Sequence, residues 1–92
     1  METKKQNPLE RTLAELRKTC PKDFLFLFRV GGLYEIYGEN AKVASKILGT
    51  KLTVLGESPT DIHTAFVTRK VCKYVSKLNK AGHRVLLFPL SY

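Results

Sequence analysis

Leu9, Leu13 and Leu16 recur at i, i+4 and i+7, with Glu10, Arg11, Glu15, Arg17 and Lys18 filling the other positions. This spacing predicts a short amphipathic helix that begins after Pro8 and ends at Cys20-Pro21. Residues 24–30, FLFLFRV, carry aromatic and aliphatic side chains at odd and even positions alike. That is the pattern of a strand covered on both faces. Gly31-Gly32 breaks the run, and residues 33–37, LYEIY, resume it. Two glycines between two strand-like runs suit a two-residue turn with positive φ, so the second strand is predicted to return antiparallel to the first.

The next segment changes period. Ala41, Ala44, Ile47 and Leu48 fall on one face and Lys42, Ser45 and Lys46 on the other, which predicts a second helix capped by Asn40 and closed by Gly49. Residues 51–55 (KLTVL) read as a third strand, 56–61 (GESPTD) as a turn-rich loop, and 62–67 (IHTAFV) as a fourth strand. Residues 68–81 give a third helix, with Val71, Val75, Leu78 and Ala81 as its apolar stripe and Arg69, Lys70, Lys73, Lys77 and Lys80 outside. Gly82 ends it, and residues 84–88 form a last strand before Pro89. The fold class expected is α/β (α+β): one domain over residues 1–92, a short mixed sheet flanked by about three helices, with residues 1–8 flexible.

Charge narrows the class of partner. Sixteen Lys and Arg stand against eight Asp and Glu, a net +8, in 92 residues. Residues 1–22 carry +3, residues 23–61 carry −1 and residues 62–92, with six basic groups and no acidic one, carry +6. An excess of this sign points to a polyanion. The N-terminal stretch METKKQNPLERT has no apolar signal core, and the longest apolar runs, near 24–28 and 85–90, are too short to cross a bilayer. A soluble cytoplasmic protein with reduced thiols at Cys20 and Cys72 is expected.

Enzyme chemistry finds little support. There is no GxxxxGKS/T phosphate loop, and Gly31-Gly32 sits at a hairpin and not at a strand-to-helix turn. His63 reads as a half-buried strand residue and His83 as a solvated turn residue. Glu35, Glu39 and Glu57 have no evident nucleophile or metal set to work with. No enzyme activity, catalytic residue, metal or cofactor is assigned.

In a strand over 33–37, Leu33, Glu35 and Tyr37 project from one face and Tyr34 and Ile36 from the other. An apolar side chain thus stands beside a carboxylate just past a tight turn. Its plain reading is a core-edge leucine and a solvated glutamate. The stretch LFRVGGLYEIYGENAKVASKILGTKLT, residues 27–53, resembles the N-terminal mismatch-recognition domain of the MutS family of DNA mismatch-repair proteins. That family's pattern is approximately F-x-R-x-G-x-F-Y-E-x-F, then A-x-x-A-x-x-L, then L-T. Arg29, Gly31, Tyr34 and Glu35 match it, Tyr37 takes the last aromatic place, and Ala41, Ala44, Leu48, Leu52 and Thr53 follow in step. More loosely, the resemblance extends over residues 9–88.

The resemblance implies a mixed sheet flanked by helices, the same fold class, and a DNA base probe. In such domains an F-x-E motif enters the minor groove at a mispaired base, the ring stacking and kinking the duplex while the carboxylate hydrogen-bonds the base. Transferred by position, Glu35 keeps its role and Leu33 stands where the family has Phe. A leucine wedges but does not stack, and the Tyr34 ring lies on the other face. The family's G-x-P turn after the third strand is also replaced, by TAFVT at 64–68. Arg29, Lys70, Lys73, Lys77 and Lys80 are the candidates for DNA backbone contacts. The partners so implied are double-stranded DNA, mismatched DNA included, and other repair proteins, with no membrane and no ATPase or clamp segment in these residues. The alternative is a module that keeps the fold without the probe and binds a protein or single-stranded nucleic acid. An exposed Tyr37 or Tyr92 near basic residues favours the single-strand version.

Overall fold

A computed structural model describes residues 8–21 and 23–89. Residues 1–7, Tyr92 and the side chain of Leu9 lie outside the described part, and with them most of the expected flexible lead-in. Helix α1 spans Pro8–Thr19, strand β1 Phe24–Val30 and strand β2 Leu33–Tyr37. Helix α2 spans Glu39–Leu48, β3 Thr53–Val54, β4 Ile62–Val67, α3 Val71–Lys80 and β5 Arg84–Pro89. The sheet order is β3-β4-β2-β1-β5. β1 pairs antiparallel with β2 and parallel with β5, while β4 pairs antiparallel with both β2 and β3. The sheet is therefore mixed, and the segment from β4 through α3 to β5 is a crossover that spans β2 and β1.

Strand alternation sorts the side chains into two layers. Leu25 and Leu27 of β1, Ile36 of β2 and Phe66 of β4 face α2 and α3, packing with Ala41, Ala44, Leu48 and Leu78. Phe26, Phe28 and Tyr37 face the other way and pack with Leu13 of α1, joined at the margin by Leu16, Cys20, Leu86 and Phe88. Residues 25–28 are all buried, as a strand roofed by helices on both sides requires. Aromatic pairs stitch each layer. Phe28 stacks on Phe88 with centroids 5.3 Å apart, and Phe66 meets Tyr74 edge-on at 4.9 Å.

Several boundaries move for identifiable reasons. Asn40 does not cap α2. The cap is Gly38, whose φ of 69° turns the chain straight from strand to helix, while its N–H donates to the Ile62 carbonyl at 2.8 Å. Gly49 does close α2, in the left-handed region at φ 78°. The third strand contracts from 51–55 to two residues because the Lys51 carbonyl accepts from the buried Thr64 hydroxyl at 2.7 Å instead of entering the ladder. The third helix opens as a 3₁₀ turn, Thr68–Lys70, since the Thr68 N–H is held by the Gly32 carbonyl at 3.0 Å. Ala81 lies exposed past the end of α3, and Tyr74 packs against the core alongside Val71 and Val75. His83 is half-buried, less solvated than expected. Its Nδ1 is buried with no hydrogen-bond partner among the described residues.

Candidate nucleic-acid interface

The β1–β2 turn is the two residues Gly31 and Gly32, closed by the Val30–Leu33 pair. Of these two, only Gly31 has a positive φ, 62°. A left-handed first turn residue followed by an ordinary one is the pattern of a II′ hairpin, whose twist matches that of the flanking strands. The turn thus fixes register. Phe28 lies opposite Glu35 and Val30 opposite Leu33, and from β4 Ala65 lies opposite Glu35 and Val67 opposite Leu33.

Read across the α1 side of the sheet, these pairs form rungs. Val30, Leu33 and Val67 make the outermost rung at the hairpin end, and Phe28, Glu35 and Ala65 the next one in. The α1-side cluster reaches Phe28 and Tyr37 but does not include the outer rung. Leu33 and Val67 are each 38% exposed, so the outer rung is an aliphatic ridge open to solvent. Glu35 sits behind it at a strand repeat of about 7 Å, two residues at roughly 3.4 Å each. Val67 is the residue sequence reasoning missed. Alternation within its own strand gave its face, but only the order of strands reveals that it stands beside Leu33.

Glu35 is not a free carboxylate. The Tyr37 hydroxyl donates to its Oε1, two residues along the same face of β2. Tyr37 is itself 7% exposed, with its ring 5.8 Å from that of Phe28. A buried ring therefore anchors the hydroxyl, and the hydroxyl fixes one oxygen of the carboxylate. The tyrosine is too buried to serve as a stacking platform, which removes one support for a single-strand site; Tyr92 lies outside the described residues.

The predicted basic residues do not gather in one place. Arg29 is exposed beside the turn, its Nε donating to the Gly31 carbonyl at 3.4 Å. Lys70 lies two residues past Thr68, whose N–H is bonded to Gly32, so the approach to α3 is docked on the hairpin. Arg69 shares that position, exposed, though the sequence marked it only as part of a polar face. Helix α3 then runs away from the hairpin, because β5 begins beside Phe24 at the opposite end of β1. At 1.5 Å per residue, Lys73 lies about 5 Å, Lys77 about 10 Å and Lys80 about 15 Å beyond Lys70 along the axis. Lys77 leans toward the Tyr74 ring, 6.0 Å from its centroid.

Comparison with known proteins fits this geometry. The family model for MutS domain I matches residues 7–89. The chain belongs to the MutS domain I family. It is 44% identical over 85 residues to the DNA mismatch repair protein MutS of Flavobacterium psychrophilum, covering 90% of this chain and 10% of that protein. Identity to the Flavobacterium johnsoniae MutS is 43% over 86 residues, with the same coverage. The Methanothrix thermoacetophila MutS matches at 34% over 84 residues, 88% of this chain and 10% of that protein. This chain thus spans about a tenth of the length of the MutS relatives it matches. Its helices and five-stranded mixed sheet are those expected of MutS domain I. Among the described residues no three His, Cys, Asp or Glu side chains group as a metal site, Cys20 and Cys72 are free thiols, and no helix is long and apolar enough to cross a membrane.

Proposed function

We propose that this MutS domain I binds duplex DNA and tests it for mispaired bases with the β1–β2 hairpin, Leu33 serving as the wedge and Glu35 as the polar contact. The observation that carries the reading is the outer rung. An exposed aliphatic ridge stands one strand repeat in front of a carboxylate held in place by Tyr37. A ridge of this kind opens a base step only where stacking is already weak, since unstacking a well-paired step costs a few kcal/mol and a mispaired one less. The carboxylate accepts a hydrogen bond from an exposed base edge and repels phosphate, so it favours entry at the base over the backbone.

Leu33 lacks the ring that the family's motif places there. Base–aromatic stacking contributes about 1–3 kcal/mol, so the discrimination expected of Leu33 is smaller than that of a phenylalanine. Val30 and Val67 widen the wedge and compensate in contact area only. Arg29, Arg69 and Lys70, beside the hairpin, are the first basic groups to meet the backbone on either side of the probed step. Lys73 contributes next, and Lys77 and Lys80 reach DNA only if the duplex runs along α3. The chain is assigned no catalytic step of its own; no nucleotide-binding loop occurs in its 92 residues.

Fluorescence anisotropy at two salt concentrations, with matched duplex, singly mismatched duplex, single-stranded DNA and RNA, tests the reading. Salt-sensitive binding to both duplexes with preference for the mismatched one is expected. Equal affinity for the two duplexes would refute mismatch recognition. Stronger binding to single strands than to any duplex would favour the alternative module.

A further inference from the structure

Strand β5 closes one edge of the sheet, and among the described residues nothing pairs with its outer side. The opposite edge, β3, is only two residues long. β5 runs for six and reads RVLLFP. Proteins blunt exposed edges with short strands, bulges or charges. Here the one charge, Arg84, is drawn aside to Asp23 at 3.4 Å, and the stretch from Val85 to Phe88 is wholly apolar.

On the α3 side of this edge lies a groove of about 550 Å³, lined by Val71, Val75 and Leu87 with Cys72, Ser76 and Lys80 at its margins. Leu87 is 48% exposed. A strand laid beside β5 at the usual spacing of about 4.8 Å would hang alternate side chains into this groove and the others beside Leu86 and Phe88. The two ends of the groove are both cationic. Because α3 runs from the hairpin end back to the start of β5, Arg69 and Lys70 flank one end and Lys80 the other. No acidic residue occurs between 62 and 92.

From these features we infer that the β5 edge is a docking site for an extended segment of a partner protein, apolar in its middle and acidic at both ends, which adds a sixth strand to the sheet. This inference goes beyond the DNA reading: the outer edge of β5 is separated from β2 by the whole of β1, so the docked strand lies away from the base probe and shares with the proposed DNA contacts only the basic residues Arg69, Lys70 and Lys80. A second copy of the chain offers the same apolar strand but brings another +8 to the contact, so charge selects the acidic segment.

The test uses the full 92-residue chain labelled with ¹⁵N and a synthetic ten-residue peptide, two glutamates at each end and alternating valine and threonine between. Amide shifts at residues 84–89 and along 71–80, with new exchange protection in β5, are expected. Replacing the glutamates by lysines should weaken binding at least about ten-fold. Leu87→Glu, at a half-exposed position, should weaken it by a similar factor with the circular dichroism spectrum unchanged; if that variant fails to fold, the peptide exchange on the unaltered chain still decides. Shifts confined to lysine-bearing positions of α3, equal affinity for the two peptides, or no shifts at all would overturn the proposal. So would self-association through this edge by sedimentation equilibrium.

Discussion

Tyr37→Phe isolates the contact that positions Glu35. The substitution keeps a ring of the same size against Phe28 and inside the α1-side cluster, and removes only the hydroxyl that donates to the carboxylate. A hydrogen bond to a charged acceptor contributes roughly 1.5–3 kcal/mol net when well buried. Glu35 is half-buried, so water recovers part of what is lost, and about 1–1.5 kcal/mol is expected. Such a change lowers the melting temperature of a domain this size by roughly 4–10 °C. The stability change alone does not prove the pairing. A double-mutant cycle of Tyr37→Phe and Glu35→Gln, read by urea unfolding, isolates the coupling between the two groups. A coupling of about 1 kcal/mol is expected, together with a loss of mismatch preference in Tyr37→Phe as Glu35 becomes mobile. Additivity within about 0.3 kcal/mol would refute the claim that Tyr37 holds Glu35.

Other consequences follow from the same geometry. Gly31→Ala places a side chain at φ 62° and should cost about 1–2 kcal/mol by thermal unfolding. Gly32→Ala, at an ordinary φ with nothing within 4 Å of the new Cβ, should be tolerated far better; equal losses would mean the turn is not as described. Leu27→Ala, at a fully buried site between β2 and β5, should destabilise by about 2–5 kcal/mol in urea titration. Charge reversal of Arg69 and Lys70 together should weaken duplex binding and flatten its salt dependence more than reversal of Lys77 and Lys80, as measured by anisotropy. The opposite order would place DNA along the far half of α3.

What the sequence made legible was set by how local the cause is. The β1–β2 hairpin was readable because Gly31-Gly32 and the flanking runs specify turn and register within fourteen residues. The face shared by Leu33, Glu35 and Tyr37 followed from alternation alone. The cap of α2 was misplaced because Gly38 owes its conformation to a bond with Ile62, a residue distant in sequence. The length of β3 depends on the Thr64 hydroxyl, and the placement of Val67 and Arg69 beside the probe depends on β4 lying next to β2. Strand order is a tertiary fact, so the ridge and the partial scattering of the basic residues emerged only with the fold. The Tyr37–Glu35 bond lay between: the spacing put both side chains on one face, and burial of the ring by α1 made the contact specific.

The central claim is that the hairpin reads the mispaired base through position 33. Its most direct test is the ratio of affinities for singly mismatched and matched duplex, measured side by side for the natural chain and for Leu33→Phe. A ring at that position adds stacking of about 1–3 kcal/mol only if it enters the base stack, so the ratio should rise about ten-fold. An unchanged ratio, with both proteins folded and binding duplex, would contradict the claim.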